Sequence, residues 1–218
     1  MIKLFEEFNN EQEIIEICKE YNIENYTINS DGSIDVDGNV DLSYMKLVKI
    51  PLKFNKITGV FVCYRNQLTS LEGCPKEVGG GFYCYGNQLT SLEGCPKEVG
   101  GGFNCSDNRI TDLQGIPSVI NGRLNCRNNN ITTLKGSPMI IYDSLNLQEN
   151  PLSIIDSSIE VRGESIYVGS TNLDFSISLL SQEELKILFE HGIDYNIFDK
   201  NGSISKYRLE RMFKDFNI

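Results

Sequence analysis

Hydrophobic positions recur every 21 residues through the middle of this chain. The stretch at 66–82, NQLTSLEGCPKEVGGGF, returns without a change at 87–103, and weaker copies continue at the same offset in both directions. An internal repeat of this length is typical of solenoid proteins, in which each unit buries its apolar face against its neighbours. The pattern therefore predicts an elongated array of stacked turns with one continuous core.

Alignment by this period gives four apolar columns and one asparagine column, followed by a glycine column and a proline column. Residues of the first two columns lie two positions apart, and alternate side chains of a strand point to the same side. We therefore expect both columns to be buried and to stack from turn to turn. The first column is Val40, Phe61, Phe82, Phe103, Leu124, Leu145 and Ile166, the second is Leu42, Cys63, Cys84, Cys105, Cys126, Leu147 and Val168, and the polar column is Asn66, Asn87, Asn108, Asn129 and Asn150.

The copy at 124–138, LNCRNNNITTLKGSP, resembles the leucine-rich repeat, whose signature is L-x-x-L-x-L-x-x-N-x-L. The 21-residue length and the L-T-x-L-x-x-x-P continuation look like the short bacterial subtype, which occurs in secreted effectors of Gram-negative pathogens and in bacterial and bacteriophage proteins. The residues before the array and the G-C-P-K-E-V-G-G-G copies are most similar to the bacteriophage set. The resemblance covers about 135 of the 218 residues.

This resemblance implies an α/β repeat solenoid of short leucine-rich repeats with a parallel, concave β-sheet. It also implies that the asparagine side chains turn inward and pair with loop backbone groups that would otherwise be buried unsatisfied. The chain departs from the family where cysteine replaces the strand leucine in four consecutive copies. The ligase activity of the effector family is not carried over, because the tail of about 40 residues has no room for that domain.

The flanking segments predict helical caps at both ends of the array. Residues 1–24 have near-helical apolar spacing, and 26–36 predict a β-hairpin that turns at Asp31 and Gly32. After the array, Ser181 and Glu184 form a capping-box pattern that opens a helix closed by Gly192, and a second helix is expected at about 205–216. The predicted domains are an N-terminal cap at 1–39, a repeat array at 40–178 and a C-terminal helical cap at 179–218.

The net charge of −10 comes largely from the acidic N-terminal segment, whereas the repeats are nearly balanced. Nucleic-acid binding needs a basic face, so a nucleic-acid partner is not expected. No apolar run reaches the roughly 18 residues of a membrane span, and the N-terminus lacks a signal-peptide pattern. We expect a cytoplasmic protein with no membrane partner, in the host cytoplasm if the source is viral.

Three groups of residues invite a chemical interpretation, and each has a structural alternative. Four cysteines of the second column lie in a row rather than around a tetrahedron, so a buried ladder is preferred to a metal or redox site. The triplets at 79–81 and 100–102 lack the Lys-Ser or Lys-Thr of a phosphate loop, and we interpret them as tight turns. The single histidine, His191, has no partners for a triad. We therefore expect no enzyme activity, no cofactor and no bound metal.

The residues that vary between the copies lie beside the buried columns, on the predicted exposed face of the sheet. Tyrosine and arginine often dominate the energy of protein interfaces, and both occur in these positions. The predicted binding residues are Tyr64, Arg65, Tyr83, Tyr85, Asp107, Arg127 and Tyr167. We expect a protein–protein interaction module that binds a host or cellular protein through its concave face, and the resemblance suggests a bacteriophage-encoded modulator. The alternatives are a binder that sequesters a nucleotide or another small signal molecule, a structural component of a larger assembly, and a sheet face that is merely polar.

Overall fold

A computed structural model describes residues 11–153, 155–163, 165–168, 180–192, 194–195, 197 and 205–218. In these residues the chain forms a parallel β-solenoid of about six stacked turns, each of roughly 21 residues. The predicted stacking is confirmed, since Phe61 pairs with Phe82, and Phe82 pairs with Phe103. The array from Val40 to Ile166 follows the predicted first column throughout.

The elements follow one another in chain order, with very short strands between helices at the two ends. They are α1 (Glu11–Glu20), β1 (Tyr26–Ile28), β2 (Ile34–Val36), β3 (Val40–Asp41), β4 (Phe54–Ile57), β5 (Phe61–Val62), β6 (Glu77–Val78), β7 (Phe82–Tyr83), β8 (Glu98–Val99), β9 (Phe103–Asn104), β10 (Val119–Ile120), β11 (Leu124–Asn125), β12 (Ile140–Ile141), β13 (Leu145–Asn146), β14 (Glu160–Val161), β15 (Ile166–Tyr167), α2 (Gln182–His191) and α3 (Lys206–Asp215).

Two strands per turn build two separate sheet surfaces. The odd-numbered strands from β3 to β15 form the expected parallel sheet of seven strands. A second surface, which the sequence did not predict, consists of a five-stranded sheet (β1-β2-β4-β6-β8) and a three-stranded sheet (β10-β12-β14). The predicted hairpin is confirmed, because β1 and β2 pair antiparallel at the edge of the five-stranded sheet.

The core lies between the sheets and contains the two columns listed above, together with the other periodic apolar residues of each turn, such as Leu68, Leu71 and Val78. Phe61 and Phe82 stack with ring centroids 5.7 Å apart and an interplanar angle of 7°, and Phe103 follows at 5.2 Å from Phe82. A strand of two residues buries little by itself, so this stacking across turns supplies the apolar burial that each turn lacks.

The asparagine column ties neighbouring turns together, as predicted. Asn108 Oδ1 accepts from the backbone N–H of Leu89 at 3.0 Å, and its Nδ2 donates to the carbonyl oxygens of Cys84 and Cys105, both at 3.1 Å. The same three bonds recur at Asn66, Asn87, Asn129 and Asn150. Each side chain therefore satisfies backbone groups of its own turn and of the preceding one.

The glycine triplets correct one interpretation made from the sequence. Their φ angles lie outside the left-handed region, so a special turn conformation does not explain them. Instead the turns approach too closely for side chains: a Cβ on Gly79 would lie 2.2 Å from the Thr58 carbonyl oxygen, and one on Gly100 would lie 2.0 Å from that of Gly79. Close contact between successive turns accounts for the glycines.

The helices lie outside the repeated turns. The predicted capping box is present, since Ser181 Oγ accepts from the Glu184 N–H at 3.2 Å and Glu184 Oε2 accepts from the Ser181 N–H at 2.7 Å. Gly192 follows the helix as predicted, but with φ −56° it is right-handed, unlike the usual glycine cap. Any other residue at this position would place its Cβ only 2.5 Å from the Leu188 carbonyl oxygen, which explains the glycine.

The α/β class expected from the sequence is not confirmed, because the described residues of the turns form strands and irregular segments only. Helix α2 packs beside the last strands: Gln182 bonds both the N–H and the carbonyl of Ile166, and the Ile159 N–H donates to the Phe189 carbonyl at 3.0 Å. The helix predicted within 1–24 is present as α1, whereas the first ten residues of that prediction and the predicted end of the array at 178 lie outside the described residues.

We expect Asn108→Ala to lower the free energy of unfolding by about 1–3 kcal/mol, because it leaves the Leu89 N–H without its acceptor and removes one of the two asparagine donors from each of the Cys84 and Cys105 carbonyl groups. Asn130→Ala is the control, since Asn130 is exposed and its change is expected to stay within about 0.5 kcal/mol. Urea unfolding monitored by circular dichroism measures both. Equal stability of the two variants would contradict the structural role of the asparagine column.

Candidate interaction surface

The seven-stranded sheet exposes the side chains that flank the buried cysteine column. Tyr83 and Tyr167 lie within strands, between the two buried columns, whereas Tyr64 and Tyr85 follow directly after the cysteine of their turn. Tyr167 is 42% exposed, and the other three are partly exposed. The structure places all four predicted tyrosines on the side of the sheet away from the core.

Three tyrosines form a continuous line across neighbouring strands, here called the tyrosine row (Tyr44, Tyr64 and Tyr85). Tyr64 and Tyr85 stack with centroids 4.3 Å apart and an interplanar angle of 11°. Tyr44 meets Tyr64 edge to face at 5.5 Å, and the Arg65 guanidinium carbon lies 5.6 Å from the centre of the Tyr44 ring. Tyr44 was missed from the sequence, although it occupies the position 21 residues before Arg65.

The tyrosine row is held in place before any partner arrives. Partial burial and the neighbouring Tyr64 raise the pKa of Tyr85 above its usual value, so its hydroxyl stays protonated and can donate a hydrogen bond at neutral pH. Ring-to-ring contacts restrict the side-chain rotations that binding would otherwise have to freeze. The row is thus a preorganised surface of ring edges and hydroxyl groups.

The residue immediately before each of the five ladder asparagines has a left-handed backbone, and so has Tyr44 at the aligned position one turn earlier, where Met45 follows. The φ angles are 58° at Tyr44, 52° at Arg65, 66° at Gly86, 55° at Asp107, 53° at Asn128 and 57° at Glu149. Such a conformation costs a residue other than glycine about 1–2 kcal/mol, and less for aspartate or asparagine. The sequence held a signal for this column, because glycine, aspartate and asparagine recur in it.

The other predicted binding residues do not join the tyrosine row. Tyr83 folds back along its strand, with its hydroxyl oxygen 2.4 Å from where a Cβ on Gly81 would lie, so it covers that glycine. Asp107 accepts hydrogen bonds from Asn128 Nδ2 at 2.9 Å and from Ser106 Oγ at 3.2 Å.

Arg127 and Tyr167 lie nearer the far end of the sheet. Arg127 forms an ion pair with Glu149, and the Arg123 guanidinium carbon lies 5.8 Å from the centre of the Tyr167 ring. Five strand spacings separate Tyr64 from Tyr167, a distance of roughly 24 Å. The seven predicted residues are therefore spread along a face, and only Tyr64, Arg65 and Tyr85 form one cluster.

The cysteine ladder is buried, as predicted. Cys63, Cys84, Cys105 and Cys126 are fully inaccessible, and the Cys105 thiol donates to the Cys126 sulfur at 3.6 Å. Burial raises the pKa of Cys95 to about 12 and that of Cys18 to about 11. Within the described residues, no group of three or more His, Cys, Asp or Glu side chains is arranged to hold a metal ion.

The second sheet surface carries an open groove where Gly79 and Gly100 have no side chains. Its walls include the Lys56–Glu77 ion pair, Lys97 and Glu98. The charges balance along the groove, so its chemistry favours no class of ligand.

No protein-family model matches the chain, and neither the curated proteins nor the solved structures contain a significant match to it. Within the described residues, no helix is both long and apolar enough to span a bilayer. The functional argument therefore rests on the surfaces described above.

All seven thiols are expected to be slow to react with Ellman's reagent in the native protein at pH 8, and to react quickly once urea unfolds it. Every cysteine is buried, and the thiolate that performs the attack is disfavoured by burial at Cys18, Cys84 and Cys95. A rapid reaction of any thiol in the native protein would reopen the redox interpretation of the ladder.

Arg65 and Gly86 occupy aligned positions with a left-handed backbone, and we expect substitutions at the two positions to differ in their effect on stability. Arg65→Gly is expected to keep the stability within about 1 kcal/mol of the wild type, because the relief of backbone strain offsets the lost contact with Tyr44. Gly86→Val is expected to lower the free energy of unfolding by about 1–3 kcal/mol, because a β-branched residue is strained there. Thermal and urea unfolding compare the two variants, and a larger loss for Arg65→Gly would contradict this account.

Proposed function

We propose that the chain is a leucine-rich-repeat protein of the short bacterial or bacteriophage type, which binds a host or cellular protein and has no enzymatic activity. The binding surface is the exposed face of the seven-stranded sheet, which is concave in that family. The protein acts in the cytoplasm, and its helices cap the two ends of the array. The contacts of α2 with Ile159 and Ile166 support the C-terminal cap.

The tyrosine row with Arg65 is the observation that carries this proposal. Tyrosine and arginine are the side chains most enriched at the energetic centres of protein interfaces, especially where they cluster. Rigid aromatic side chains also lose little conformational entropy on binding, which favours affinity. Here the cluster is assembled by the fold itself, because the 21-residue period places Tyr64 and Tyr85 at the same position of adjacent turns, just beyond β5 and β7.

The arrangement of the rings favours a protein partner over a nucleotide. A base binds an aromatic side chain by stacking on its face. Tyr64 and Tyr85 already stack on one another, and Tyr44 meets Tyr64 edge to face. One face of Tyr64 and one face of Tyr85 are therefore already covered, and the remaining ring edges and hydroxyl groups suit the mixed apolar and polar surface of a protein.

The test is affinity capture from a lysate of the host cell with the wild-type protein and a Tyr64→Ala/Tyr85→Ala variant. A partner held by the wild type and lost from the variant is the expected result. The matched control is Tyr142→Ala/Tyr207→Ala, which removes two exposed tyrosines, one on the second sheet surface and one on α3. The proposal fails if no protein is captured, or if the first variant holds the partner as well as the control does.

A further inference from the structure

Positive charge is concentrated in one segment of this acidic protein. Residues 42–71 contain Lys46, Lys49, Lys53, Lys56 and Arg65 and no acidic residue, although the chain as a whole carries a net charge of −10. The segment forms the first full turn of the solenoid and includes most of the tyrosine row. The sign of the local charge is thus opposite to that of the rest of the molecule.

Two of these cations form ion pairs within the protein. Two others, in the turns that carry Tyr44 and Tyr64, have no such pair among the described residues. Lys53 pairs with Asp31 at 2.8 Å, and Lys56 pairs with Glu77 at 3.0 Å. Arg65 contacts the Tyr44 ring, and neither it nor Lys46 has a carboxylate partner within the part of the chain that is described. Both side chains are exposed.

Large apolar side chains are exposed in the same turn as Tyr44. Tyr44 is 61% exposed, Val48 is 66% exposed and Met45 is 39% exposed. Contiguous exposed apolar surface rimmed by polar groups marks interaction sites on soluble proteins. We call this surface the Tyr44 patch, and define it by Tyr44, Met45, Tyr64, Arg65 and Tyr85.

Several residues in and beside this patch have a backbone conformation that is unfavourable for their side chains. Tyr44, Lys46 and Arg65 all have left-handed φ angles, of 58°, 58° and 52°. Gly86 shows that glycine is compatible with the same position in the next turn, where it relieves the strain. The left-handed conformation belongs to every turn, but glycine, aspartate or asparagine would hold it at lower cost than the aromatic and cationic side chains found in this patch.

We propose that the Tyr44 patch binds an acidic segment of the partner protein that carries aromatic or aliphatic side chains among its carboxylates. This inference rests on the proposed function and names the chemistry of the partner. Carboxylates of the segment meet Arg65 and Lys46, its apolar side chains cover Tyr44 and Met45, and backbone carbonyls accept from the tyrosine hydroxyls. Charge complementarity selects the partner and speeds its association.

Nucleic acid, the other common polyanion, fits this surface less well. Its affinity depends on many phosphate contacts, whereas the patch offers two unpaired cations and the rest of the chain is acidic. Asp41, bonded to the Ser43 N–H at 2.8 Å, and Asp107 lie close by on the same face and repel a continuous phosphate backbone.

The experiment is selection from a random 12-residue peptide display library on four immobilised proteins. These are the wild type, Arg65→Glu, the Tyr64→Ala/Tyr85→Ala variant and Lys135→Glu. The last makes the same charge change as Arg65→Glu, at an exposed lysine in a distant turn. Enriched peptides are then synthesised, and their affinity is measured by fluorescence anisotropy from about 50 to about 500 mM salt, the range over which screening becomes severe. A labelled single-stranded DNA of matched charge is measured in parallel.

We expect the wild type and Lys135→Glu to enrich acidic peptides that contain aromatic or aliphatic residues. The affinity of these peptides for Arg65→Glu should be at least about tenfold lower than for the wild type. Their affinity for the wild type should decrease as the salt concentration rises. Circular dichroism and thermal unfolding of Arg65→Glu, together with Arg65→Gly, show whether a loss arises from misfolding.

Other outcomes overturn the inference in distinguishable ways. Enrichment of neutral or basic peptides that depend on Tyr64 and Tyr85 but not on Arg65 would refute the acidic partner and leave the proposed function standing. Tighter binding of the DNA than of any peptide would identify a nucleic-acid surface instead. Loss of self-association in Arg65→Glu would identify a second copy of the chain as the occupant. Peptides that bind all four proteins equally, or no enrichment at all, would count against both the inference and the proposed function.

Discussion

Hydrogen bonding between successive turns is the constraint on which the rest of this structure depends. A strand of two residues has no stable existence alone, and its N–H groups find acceptors only on the neighbouring turn, as Phe61 N does on the Gly81 carbonyl at 3.0 Å. The asparagine side chains then satisfy the groups that the strands leave over, because each bonds two turns at once. Successive turns must stay at hydrogen-bonding distance. That spacing leaves no room for side chains at Gly79 and Gly100, and it is compatible with the small cysteines of the buried column.

The inward-facing half of each turn was predictable from the sequence. Burial is set by periodic apolar residues, so aligning Phe61, Phe82 and Phe103 identified both the strand and its register. The asparagine column was predictable from the resemblance to leucine-rich repeats, which implies that these side chains turn inward and pair with backbone groups. The hairpin and the capping box were local patterns, and both are present.

The outward-facing half was less predictable, because its geometry depends on contacts between turns. The strands that begin at Glu77, Glu98 and Val119 were not predicted from the sequence, because each has only two residues and begins two residues after a proline. Tyr83 and Tyr85 looked alike in the sequence, yet one folds over Gly81 and the other stacks on Tyr64. Tyr44 aligns with Arg65 rather than with Tyr64, and its contact with the Tyr64 ring emerged only when the rings were placed in three dimensions.

The two identical copies also determine how this molecule can change in length. The first copy presents to its neighbour the same interior surface that the second copy presents, so removal of one 21-residue unit would join two surfaces that already fit. Growth or loss of the array therefore proceeds in whole turns, and chemistry on the outer face moves in steps of one strand spacing, about 4.8 Å. Recombination between the copies would thus shift the distance between Arg65 and Arg127 by a fixed increment, while the core between them stays the same.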